Sequence, residues 1–122
     1  MPHLRARENN MALSVAIGDI NGVKVIKCTG YIDSENSGQI KTVIEDLLKA
    51  GSFKIVMDLG RVDYVSSAGW GLFVGYLHEA RNNKGDIKIC DMKKEVLEIF
   101  ELLDFVNIFQ YFKDSADAVK AF

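Results

Sequence analysis

The densest group of side chains able to do chemistry is Val65-Ser66-Ser67-Ala68-Gly69-Trp70-Gly71, two adjacent hydroxyls followed by two glycines. It lies between an apolar run, Phe53-Lys54-Ile55-Val56-Met57-Asp58-Leu59, and a stretch with helical periodicity. A hydroxyl at such a junction has two uses. It can cap the helix by accepting a backbone N–H, worth about 1 kcal/mol. Or it can carry a phosphate, since the free N–H groups and positive dipole end of a helix N-terminus stabilise an added dianion. Residue types alone favour the cap for one of Ser66 and Ser67.

Other chemistries find poorer support. The histidines are His3 and His78, neither with a partner at metal-ligand spacing, so no metal site is predicted. A Ser-His-Asp triad would need His78, about three helical turns from the serines, and no GxSxG elbow is present. Gly69, Gly71 and Gly75 open a helix after a strand, but Val74 stands where GxGxxG needs its third glycine. The acidic residue expected later is met only loosely by Asp91, and no GxxxxGK[ST] loop exists. Cys28 and Cys90 sit in apolar strand-like segments without CxxC spacing and read as buried reduced thiols. No catalytic residue and no cofactor are predicted.

The elements that must position the serines follow from periodicity. Leu13, Val15 and Ile17, then Asn21-Gly22, then Val23, Val25 and Cys28 read as a β-hairpin around a tight turn. Ile40, Val43, Ile44, Leu47 and Leu48 mark one face of a helix, with Ser34 the expected N-cap and Gly51 just past its end. The apolar run 53–59 reads as a central parallel strand. Ala68 to Asn83 is the second helix, Asp86 to Cys90 a strand, and Val96 to Leu103 a third helix. Val106 to Tyr111 is expected as a short last strand, and Ser115 to Phe122 as a helix capped by Ser115. The order predicts an α/β domain: a mixed β-sheet with an N-terminal hairpin and helices packed mainly on one face.

With 122 residues there is room for one core, so enzymes built on a large interdomain cleft are excluded. Apolar residues are 48% and charged residues 26%, with ten glycines and one proline, a globular composition. A net charge of −2 offers no field to recruit nucleic acid or an anionic membrane. Apolar runs such as Leu72-Phe73-Val74 fall far short of the roughly 20 residues of a bilayer span. Residues 1–10 lack apolar periodicity and read as a mobile arm or expression remnant before a domain at 11–122. They also lack the apolar stretch of a secretory signal, so a cytoplasmic protein is expected.

With the elements in place, Asp58-Leu59-Gly60-Arg61-Val62-Asp63-Tyr64-Val65-Ser66-Ser67-Ala68-Gly69-Trp70-Gly71 resembles the central motif of STAS domains, most nearly the bacterial anti-sigma factor antagonists. In that group an apolar strand ends in Asp-Leu and leads to Asp-Ser-Ser/Thr-Gly-x-Gly at a helix start. The family's phosphoacceptor serine maps onto Ser67, its glycines onto Gly69 and Gly71, and Trp70 replaces a usual leucine. Thr29-Gly30-Tyr31-Ile32-Asp33 resembles the family's Gly-x-Leu-Asp, whose aspartate lies near the phosphorylation site. The resemblance spans about residues 12 to 112. Ser66 stands where phosphorylated members usually carry aspartate, which removes a negative charge beside Ser67.

The resemblance implies a binding switch rather than an enzyme. Its partner would be an anti-sigma factor of the histidine-kinase-like ATPase fold, whose ATP phosphorylates Ser67, with a phosphatase resetting the switch. Tyr31, Asp33, Ser66, Gly69, Trp70 and Gly71 would form the partner-binding face around Ser67. Trp70 reads equally as core or as an interface anchor. The alternative reading is a non-phosphorylated adaptor subunit of a larger complex, such as a lipid transporter or signalling assembly.

Overall fold

The structure is a computed structural model and describes residues 13–122; the arm expected at 1–10 lies outside the described residues. Strands β1 (Ser14–Ile20) and β2 (Val23–Ile32) form the hairpin. Its turn is Asn21-Gly22, with φ of 55° and 84°, the left-handed pair that matches the twist of the flanking strands. Helix α1 (Ser37–Lys49), strand β3 (Lys54–Val65), helix α2 (Ser67–Asn82), strand β4 (Asp86–Cys90) and helix α3 (Lys94–Leu102) alternate after it. A single 3-10 turn (Phe105–Asn107), strand β5 (Tyr111–Phe112) and helix α4 (Ser115–Lys120) complete the chain.

The sheet runs β1-β2-β3-β4-β5, antiparallel between β1 and β2 and parallel from β2 onward. Side chains alternate across it. Ile26, Cys28, Ile55, Met57, Ile87 and Ile89 face the large core under α1, α2 and α3. Val23, Val25, Val56 and Cys90 face the other way, where Ala118 and Val119 of α4 cover them. The expected α/β architecture is thus present, with α1, α2 and α3 on one face and α4 on the other.

Several boundaries differ from the periodicity reading, each for a local reason. Strand β3 does not stop at Leu59 but continues to Val65, pairing Arg61 with Thr29 and Tyr64 with Tyr31 along a long β2. Two register shifts, opposite Lys27/Thr29 and Gly30/Tyr31 of β2, each put an extra residue into β3 and break the strict period that would have advertised the extension. Helix α1 is not capped by Ser34. Its N-cap is Asn36, preceded by a turn in which Asp33 Oδ1 accepts the N–H groups of Glu35 and Asn36, both at 2.9 Å. Asp114, not Ser115, caps α4, accepting from Asp117 N at 2.9 Å. The strand expected at Val106 to Tyr111 is replaced by the 3-10 turn and a two-residue β5. Asp104, left-handed at φ 63°, ends α3, and its carbonyl and carboxylate both accept from Asn107.

Candidate functional site

The carboxyl ends of parallel β2 and β3 meet the N-terminus of α2, the rim where open α/β sheets place their sites. Ile32 pairs with Val65, and Ser66 N donates to Ile32 O at 2.8 Å, joining the two strand ends. The chain then turns into α2. Ser66 is the N-cap, extended at φ −76° and ψ 169°, and its Oγ accepts from Gly69 N at 3.2 Å. Ser67 is the first helical residue and is exposed. The choice the residue types left open is therefore made: Ser66 caps, and the Ser67 hydroxyl is left to solvent. By helix geometry the N–H groups of Ser67 and Ala68 have no intrahelical acceptor.

The other expected site residues divide in two. Tyr31 is 40% exposed beside Tyr64 at 54%, and Gly71 is exposed with nothing near its absent side chain. Asp33 is half-buried, its carboxylate occupied by the turn before α1, and its own N–H donates to Asn36 Oδ1 at 2.9 Å. Its placement is that of a turn former.

Gly69 and Trp70 do not stand on this surface. A Cβ at Gly69 would lie 2.8 Å from Ile32 Cγ2 and 2.9 Å from Val65 Cγ1, so the glycine lets α2 close onto the strand ends. Trp70 is only 2% exposed, so of the core and anchor readings the burial selects the core, and Trp70 is no surface contact. Its ring lies edge-on to Phe73 at 5.8 Å and against Phe100 and Phe105 at 5.6 and 5.3 Å. The fold forces this, because positions 70, 73 and 77 form the inward stripe of α2. Tyr64 joins this exposed surface although its sequence pattern does not single it out. Its signal was an aromatic two residues before the cap, on a strand that period-2 counting had already ended.

One acidic cluster lies away from the serines. Asp58, Cys90 and Asp91 bring a ligand atom each within 4.8 Å of one another. Burial, with the neighbouring carboxylates, pushes the Cys90 thiol well up. Cys28 faces the opposite side of the sheet, so the two cysteines cannot bridge. Among the described residues, no helix is long and apolar enough to cross a membrane.

Comparison with known proteins agrees with this geometry. The STAS domain profile matches residues 14–118. The chain belongs to the STAS domain family. BtrV of Bordetella bronchiseptica, named an anti-sigma factor antagonist, is 29% identical over 110 residues, covering 90% of this chain and 95% of BtrV. The crystal structure of an anti-sigma factor antagonist from Mycobacterium paratuberculosis superposes with a TM-score of 0.82 at 18% identity, covering 90% of this chain and 93% of that one. SpoIIAA of Bacillus, solved in its phosphorylated form, superposes at 0.69 with 17% identity, covering 88% and 98%. At these identities the two structures speak for the shared STAS fold.

Proposed function

We propose that this STAS protein is an anti-sigma factor antagonist: it binds an anti-sigma factor, releases a sigma factor, and is switched off by phosphorylation of Ser67. The observation that carries the reading is the division of labour at the start of α2. Ser66 holds the helix cap through Gly69 N, and Ser67 presents an exposed hydroxyl beside free N–H groups. The names of its relatives and the phosphorylated SpoIIAA point the same way.

The partner is an ATPase of the histidine-kinase-like fold, and the protein acts in the cytoplasm as a substrate of that partner rather than as a catalyst. The Ser67 oxygen attacks the γ-phosphorus of the partner's ATP, ADP leaves, and the hydroxyl proton passes to a base on the partner. The docking surface comprises Tyr31, Tyr64, Ser67 and Gly71. Gly69 and Ser66 shape it from beneath. A phosphate there adds about −1.5 to −2 charges, which the docked partner must either neutralise or be repelled by.

Incubation with the cognate anti-sigma factor and ATP tests this by intact mass. One phosphate is expected on the wild type and none on Ser67→Ala, which should still bind. A phosphate on Ser66, or binding without any phosphorylation, would overturn the switch.

A further inference from the structure

Beside the Ser67 surface, β3 and α3 line a groove of about 300 Å³ that is open among the described residues. Its walls combine three kinds of group. Asp63, Glu95 and Glu98 contribute carboxylates, all on exposed residues. Tyr64 and Ile99, 54% and 44% exposed, contribute apolar surface. Trp70 lines the groove from the core side, and its Nε1 is buried with no hydrogen-bond partner among the described residues. A buried donor without an acceptor is uncommon in a folded protein and wants an explanation.

Charge narrows the choice of occupant. Among the described residues the one ion pair on these walls is Lys93 Nζ to Asp63 Oδ1, at 2.5 Å, and Glu95 and Glu98 have no cationic partner there. Beyond Ile99 the apolar surface continues along the helix end as Leu102, 79% exposed, and Leu103, at 47%. Glu101 and Asp104 interleave with them. A second copy of this chain would bring the same acidic face and be repelled. An apolar segment carrying Lys or Arg matches the apolar and the acidic walls together, with its stem along Tyr64 and Ile99 and its cation between the glutamates.

We propose that this groove seats a basic, amphipathic segment of the partner protein, continuing the contact that begins at Ser67. This inference rests on the antagonist reading for the identity of the partner. The chemistry of the segment is assigned from the groove alone.

The test has two arms. In the first, binding of the cognate anti-sigma factor is compared for the wild type, Ser67→Asp and Glu95→Lys/Glu98→Lys. The glutamate pair is exposed, so its reversal should leave the fold intact by circular dichroism. Weakening of about tenfold or more in the double variant supports the groove. Wild-type affinity in that variant, with weakening in Ser67→Asp, overturns the groove and leaves the antagonist reading standing. In the second arm, the whole chain is titrated with a leucine- and arginine-containing amphipathic peptide and with its glutamate counterpart, following the indole N–H resonance of the sole tryptophan. A saturable shift with the basic peptide alone, lost in Glu95→Lys/Glu98→Lys, supports the groove even if the anti-sigma factor itself does not bind. No shift, or the same shift with the acidic peptide, overturns it.

Discussion

Ser66 Oγ accepts the backbone N–H of Gly69 at 3.2 Å, and this one bond separates the roles of two adjacent serines. The residue that resembles the start of a phosphorylation motif is spent on the helix, and its neighbour is released to solvent. Serine and aspartate are both good N-caps, so the departure from the family's usual aspartate keeps the cap while removing a negative charge beside Ser67.

Loss of that cap should therefore be visible as stability and not as chemistry. Ser66→Ala is expected to destabilise by about 1 kcal/mol in urea unfolding, and Ser66→Asp to restore it. If Ser66→Ala instead abolished phosphorylation at Ser67 with no change in stability, the separation of roles would be wrong.

The glycines of the motif should behave in opposite ways. Gly69→Ala places a methyl 2.8 Å from Ile32 Cγ2 and 2.9 Å from Val65 Cγ1, so overpacking of about 1–3 kcal/mol is expected. Gly71→Ala meets open space on an exposed helical surface and should stabilise by about 0.5–1 kcal/mol. Thermal melts of the two variants should shift in opposite directions.

Trp70 sits against Phe73, Phe100 and Phe105, so its emission in the free protein should be blue and move red only on unfolding. Trp70→Ala should cost about 3–5 kcal/mol. Trp70→Phe should cost less, because it also removes the buried N–H that has no partner. Red emission from the native state would contradict the packing.

Alkaline pH should destabilise the protein through its thiols. Burial pushes the Cys28 thiol from 9.0 to about 12, so above pH 9 the unfolded chain loses a proton that the native state keeps. Stability is then full below pH 9 and falls toward pH 12, by about 1.4 kcal/mol per pH unit for this group. Cys90 adds in the same direction. Urea midpoints measured between pH 8 and 10.5 should show the decline, and Cys28→Ala should reduce its slope whatever its effect on absolute stability.

How far these positions were legible depends on the range of the forces that set them. Local chemistry was readable: Asn21-Gly22 demands left-handed backbone, Ile40 to Leu48 repeat at helical spacing, and Ser66-Ser67 precede a helix, so hairpin, helices and the serine junction all follow from neighbours in the chain. The length of β3 was not, because its residues 60–65 are held by pairing with β2 through two register shifts, a relation between segments some 30 residues apart. Ser34 and Ser115 looked like caps, yet α1 starts at Asn36 after a turn held by Asp33 and α4 is capped by Asp114, since Ser, Asn and Asp all suit helix starts and only the path of the chain selects one. Trp70 follows the same logic at the site itself. Its type suits core and interface equally, and its burial was decided by Phe100 and Phe105 arriving from α3 and the turn beyond it, aromatic partners that the motif's own sequence does not contain.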